Sequence, residues 1–112
     1  MASRSQLGDL EELVILAVLR RGENAYGASI REELKQRADR AVSVSTIYVT
    51  LMRLEEKGFV RSWMGEPTGE RGVKAKRYFE VRPEGMGVLE ATSGVRERMW
   101  EGLSGEAKTH AR

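Results

Sequence analysis

From about Leu7 to Arg21 apolar residues recur every three or four positions. Leu10, Leu13, Val14, Ala17 and Val18 make one stripe, and Ile15, Leu16 and Leu19 widen it. That period predicts a helix, and a helix apolar around most of its girth has to be covered on more than one side. Asp9 followed by Glu12 has capping-box spacing, and Arg20-Arg21-Gly22 closes the segment with cations at the negative end. A second helix is expected after Asn24, as its cap, over about Tyr26 to Ala38. Tyr26, Ile30, Leu34 and Ala38 repeat every four residues there, while Arg31, Glu32, Lys35 and Gln36 face water. Val42-Ser43-Val44 has room for one short strand. A third helix is expected from about Ser45 to Lys57, ending at Gly58. Ile47, Leu51 and Leu54 form its buried stripe, with Thr46, Val49, Thr50, Arg53 and Lys57 on the opposite face.

After Gly58 the period changes from about 3.6 to 2. Phe59 to Met64 and Val73 to Val81 read as strands rich in aromatic and β-branched residues. The turn formers Gly65 to Gly72 between them make a long hairpin tip. Pro83 suits the first position of a last helix, since its missing N–H is not needed there. Val88, Thr92, Val95, Met99 and Gly102 keep a 4-3-4-3 spacing, so this helix is expected to reach Leu103 or beyond, before a polar tail from Ser104 to Arg112. No internal repeat or low-complexity segment interrupts this order.

Composition narrows the class. A chain of 112 residues is one domain's worth and too short for a dinucleotide-binding unit plus a substrate domain. No run approaches the ~18 apolar residues of a membrane span. The segment Met1 to Gln6 lacks the apolar stretch of a secretory signal, so a cytoplasmic protein is expected. Without cysteine there is no disulfide, thiol catalysis or thiolate metal site. His110 is the one histidine and lies in the tail, Glu55 and Glu56 point apart on adjacent helix positions, and no cluster has metal-ligand spacing. Neither an enzyme nor a cofactor is expected.

Charge matters by position. Nineteen Lys+Arg against seventeen Asp+Glu give only +2, yet Arg71, Lys74, Lys76, Arg77 and Arg82 crowd the second strand run against Glu70 and Glu80. A local basic ribbon of this kind suits a nucleic-acid footprint. Three helices, a basic hairpin and a last helix describe a mainly α protein with a small β-hairpin, a winged helix-turn-helix. In such a fold the third helix enters the major groove, with small or polar side chains outward near its N-terminus. Ser45, Thr46, Val49 and Thr50 supply that surface, Val49 with a methyl face for thymine, and Arg53 and Lys57 follow for backbone contact. Lys74, Lys76 and Arg77 place a wing against phosphates or an adjacent groove.

Several fragments together resemble one family. Leu10-Glu11 to Leu19, Tyr26-Gly27, Ser45-Thr46-Ile47-Tyr48, Leu51-Met52-Arg53-Leu54-Glu55, Lys57-Gly58-Phe59-Val60 and Lys76-Arg77-Tyr78-Phe79 are similar to the pattern of PadR-like transcriptional regulators. The resemblance spans about Leu7 to Val95. Val49 stands where the family often has Pro, Phe79 where it has a second wing Tyr, and Arg82-Pro83-Glu84-Gly85 where a Thr-led helix start is usual. The resemblance implies a homodimeric regulator, mostly a repressor, on double-stranded DNA. It also implies a last helix pairing with the partner's first helix. Residues 1–82 are then the DNA-binding unit and 83–112 the dimerisation helix and tail, within one compact domain. Two recognition helices would enter major grooves about 34 Å apart on a pseudo-palindromic site.

Individual residues keep two readings. Tyr48 contacts DNA or packs the third helix against the wing, and Tyr26 reaches a phosphate or fills the core. Lys74, Lys76 and Arg77 bind phosphates or form a solvated strand face. Val95, Met99 and Trp100 are dimer-core residues, or they hold a flat apolar effector, as in some relatives. A small-molecule sensor and a winged-helix protein-interaction module are the other classes, and the basic wing argues against the second.

Overall fold

The computed structural model describes residues 6–66 and 75–103. Among them are α1 (Asp9–Arg21), α2 (Gly27–Ala38), α3 (Val44–Glu56), β1 (Val60–Met64), β2 (Arg77–Val81) and α4 (Pro83–Trp100), in the expected order. Most of the hairpin tip, with Lys74, and the tail, with His110, lie outside the described residues.

The helix starts differ from expectation for identifiable reasons. Gly8, not Asp9, precedes α1, and its N–H donates to Glu11 Oε1 at 2.9 Å. Glu12 is turned inward instead, only 9% exposed. Asn24 lies in a 3₁₀ turn (Gly22–Asn24), and Tyr26 occupies the cap position of α2. There Ser29 Oγ accepts from the Tyr26 N–H at 3.0 Å and donates to the Asn24 carbonyl. Val42–Val44 forms no strand. Ser43 caps α3, its Oγ accepting the Thr46 N–H at 3.1 Å, which satisfies a donor the first turn otherwise leaves open. Gly58 follows α3 with φ 84°, the left-handed conformation that ends the helix and turns the chain into β1. The last helix ends at Trp100, short of Leu103.

One apolar cluster joins these elements: Val14, Ile15 and Val18 of α1, Ile30 and Leu34 of α2, Ile47, Leu51 and Leu54 of α3, Val60 and Phe79 of the hairpin, and Val88 and Leu89 of α4. Leu16 and Leu19 are not covered, at 38% and 41% exposure, so the second apolar side of α1 is open. The strands pair antiparallel from Val60↔Val81 to Met64↔Arg77. The hairpin is also fastened to the segment before α2, where the Phe79 N–H donates to the Ala25 carbonyl at 2.9 Å and Tyr26 bridges to Tyr78.

Two contacts fix α4. Gly85 sits so close to the start of β1 that a Cβ there would stand 2.2 Å from the Phe59 carbonyl oxygen. Eleven residues on, the Arg96 guanidinium reaches Asp9 Oδ1 at 3.0 Å and Glu12 Oε1 at 3.1 Å. The Leu7 N–H adds a bond to Thr92 Oγ1 at 3.0 Å. On the other side of α1, Glu33 of α2 gathers Arg20, Arg21 and Arg37 at 2.9, 2.9 and 3.3 Å. The Arg20 hydrogen bond and the charges of Arg20 and Arg21 hold the Glu33 carboxyl below its ordinary value.

Candidate nucleic-acid interface

The outer face of α3 follows from its inner one. Ile47, Leu51 and Leu54 are fully buried, so Ser45, Thr46, Val49 and Arg53 are turned outward and exposed. Thr46 is held in an N-terminal hydroxyl cluster: Ser43 Oγ donates to Thr46 Oγ1 at 2.9 Å, which leaves the Thr46 hydrogen to donate outward. Thr50 does not belong to this face. It is 6% exposed and its hydroxyl donates back to the Thr46 carbonyl at 2.9 Å, because its place in the helical turn leans toward the core. Lys57 is also drawn away, bonding Glu11 Oε2 at 3.0 Å. Burial pushes the Glu11 carboxyl up, but the Gly8 N–H, Lys57 and Arg53 outweigh it and hold the group below its ordinary value.

Both tyrosines make packing contacts. Tyr48 is half-buried, its ring edge-on to Phe79 at 6.0 Å and close over Gly27, where a Cβ would meet Tyr48 Cε2 at 2.9 Å. Tyr26 is half-buried and edge-on to Tyr78 at 5.7 Å. On the wing, Lys76 is exposed, with Nζ 4.3 Å above the Tyr26 ring. Arg77 points back to the wing root, where its Nη1 donates to Ser62 Oγ at 2.9 Å. Ser62 Oγ in turn donates to the Glu55 carboxylate at 2.9 Å. The structure therefore brings Ser45, Thr46, Val49, Arg53 and Lys76 to the surface and ties Thr50, Tyr48, Tyr26 and Arg77 inward.

Other residues on this side escaped the sequence reading. Met52, 40% exposed, lies one turn beyond Val49 and lines a shallow groove with it and Arg53. Arg31 and Lys35 of α2 line a hollow of about 250 Å³ beside the α3 cap, with Val42 and Ser43. Arg31, Lys35, Arg40 and Arg53 form no ion pair among the described residues, whereas Arg20, Arg21, Arg37 and Arg96 around α1 all do. The four-residue spacing of Arg31 and Lys35 was the available signal, since it stacks two cations on one helix face. Trp63 stacks on Tyr78 at 6.1 Å, with the Arg61 guanidinium 4.8 Å from its ring centre.

Val95 is half-buried, and Met99 and Trp100 are 74% and 58% exposed. A separate apolar groove of about 590 Å³ runs between α1 and α2, lined by Leu13, Leu16, Leu19 and Leu34 with Arg20 and Arg37 at its rim. No group of acidic or histidine residues among the described residues has the arrangement of a metal site. No helix there is long and apolar enough to cross a membrane.

Three helices with a short, largely exposed turn between α2 and α3, and a two-stranded hairpin fastened beside them, define a winged helix-turn-helix with an added C-terminal helix. Residues 15–91 match the Transcriptional regulator PadR-like family. The chain belongs to that family, one of transcriptional regulators rather than of enzymes. Its fold is shared by a transcriptional regulator from Clostridium thermocellum, at 22% identity and TM-score 0.67, over 91% of this chain and 90% of that one. It is also similar to a PadR-like transcription factor from Bacteroides fragilis, at 25% identity and TM-score 0.64, over 99% and 95% of the two chains. Bacillus subtilis PadR, solved in complex with operator DNA, matches at 18% identity and TM-score 0.60, over 89% of this chain and 64% of that one. No curated protein matches the chain.

Proposed function

We propose that this protein is a sequence-specific DNA-binding transcriptional regulator in the cytoplasm, a homodimeric repressor on a pseudo-palindromic operator, its own promoter included. The observation that carries this reading is the outer face of α3. It is exposed, held from behind by three fully buried residues, and neighboured at its cap by Arg31 and Lys35, which have no ion-pair partners among the described residues. A face of that kind offers base-edge contacts at its centre and phosphate contacts at its rim. The fold likeness to an operator-bound PadR supports the same direction.

Dimerisation is supported by two open apolar surfaces on one chain. Met99, Trp100 and Leu103 are exposed at the end of α4, and Leu16 and Leu19 are exposed on α1. In the proposed pair a partner's α4 lies against α1, so that Met99 and Trp100 meet Leu16 and Leu19 and both apolar surfaces are covered. In this arrangement residues 1–82 bind DNA and 83–112 dimerise. Trp100 and Met99 at such a seam also favour a second reading, an effector site for flat apolar compounds.

The test is fluorescence anisotropy on the gene's own upstream DNA and a scrambled duplex at two salt concentrations. Preference for the upstream duplex, with affinity falling steeply as salt rises, is the expected result. Weak and equal binding to both counts against autoregulation, and flat salt dependence counts against phosphate contact altogether.

A further inference from the structure

We infer that α3 reads its operator chiefly through thymine methyl groups, with Val49 and Met52 as the specificity-determining residues; this rests on the DNA-binding reading above. Val44 to Met52, the first nine residues of α3, contain no Arg, Lys, Asn or Gln, the side chains that bind guanine or adenine in bidentate fashion. What they turn outward is two hydroxyls, Ser45 and Thr46, and two apolar side chains, Val49 and Met52, exposed at 51% and 40%.

Val49 and Met52 are three positions apart and so share one face of the helix, and they line the same groove. Tyr48, just before Val49, borders the same groove, with its ring edge-on to Phe79 and close over Gly27. Arg53 follows directly after Met52. Glu55 and Glu56 line the C-terminal end of the same groove, Glu55 with its carboxylate accepting from Ser62, so the apolar contact surface is its N-terminal part, Val49 and Met52. In the major groove the thymine C5-methyl is the one apolar group that projects from the base edges; cytosine has only a C5–H there beside its N4 donor, and the other groups are donors or acceptors. An apolar side chain pressed onto any of those strips water from a polar group and gives nothing back. Val49 and Met52 are therefore matched to thymine and penalise cytosine at the same positions.

Duplexes selected from a random library by the full chain are resynthesised with deoxyuridine replacing one thymidine at a time, which removes only the methyl. Affinity is expected to fall about fourfold at one or two positions in each half-site, the value of one buried methyl group. Val49→Ala and Met52→Ala are then expected to bind the thymidine and deoxyuridine forms equally at those positions. Both side chains are exposed, and circular dichroism verifies that the variants fold. Equal binding of every uridine-substituted duplex by the unaltered chain, with sequence preference intact, overturns the inference while leaving the DNA-binding reading standing. A selection that enriches no duplex overturns both.

Discussion

Arg96 of α4 holds Glu12 of α1 at 3.1 Å, closing a seam where the carboxylate's side chain is only 12% exposed. Arg96→Met leaves that carboxylate partly dry and without its cation, so the thermal midpoint is expected to fall by a few degrees. Glu12→Leu added to the same chain should restore part of the loss, because an apolar pair fits where a lone charge does not. A double variant no more stable than Arg96→Met would show that the seam needs the ion pair itself.

Glu11 makes stability depend on pH. Its carboxyl is held below the ordinary value in the folded chain, so its contribution is fully present above the unfolded value, about 4.3. That contribution is lost as pH falls through the ordinary value and on to the lower folded one. Urea midpoints measured from pH 6 downward should show a shallower acid limb in Glu11→Gln than in the unaltered chain.

Gly85→Ala places a methyl against the Phe59 carbonyl, a backbone atom that cannot rotate away. A cost of about 1–3 kcal/mol is expected, read as a lower denaturant midpoint. Gly87→Ala on the same helix, where a Cβ would meet nothing within 4 Å, should be neutral or slightly stabilising.

Cations and hydroxyls should separate in binding assays. Arg31→Ala, Lys35→Ala and Lys76→Glu should weaken binding to matched and scrambled duplexes alike, the alanine changes each reducing the salt slope by about 1. Arg37→Ala removes a guanidinium already held by Glu33 and should leave the slope unchanged. Thr46→Ala should narrow the gap between matched and scrambled duplexes instead. Equal losses on both duplexes for every variant would refute this division between phosphate and base contacts.

Leu16→Glu and Met99→Glu each put a charge on an apolar surface that a partner is expected to cover. Both should shift the chain to monomer in light scattering while the helical spectrum is kept. A dimer that survives both changes would move the interface elsewhere.

Periodicity carried the element order well, because each helix keeps a buried stripe such as Ile47, Leu51 and Leu54 that no neighbour alters. The helix starts were less legible. At α1 the reach-back to the cap N–H comes from Glu11, while Glu12, at the spacing that suggested a cap at Asp9, pairs with Arg96 across more than eighty positions. Ser43 reads as strand beside Val42 and Val44, yet its hydroxyl decides for a cap once Thr46 follows. Within the interface, Ser45, Thr46 and Val49 were readable from helical geometry. Thr50 was not, since a position at the edge of the stripe is settled by how far the core wraps around it. The partners of Arg77 and Lys57 were illegible for a shared reason: each finds an acceptor on another element, Ser62 and Glu11, which sequence spacing cannot reveal.

The close approach of Gly85 to the Phe59 carbonyl fixes where α4 leaves the hairpin, and the Arg96 bridge to Asp9 and Glu12 fixes where it lies along α1. The bearing of the Trp100 end is thus set at two separate places, one by backbone crowding and one by charge, and a change at either would swing that end relative to the wing.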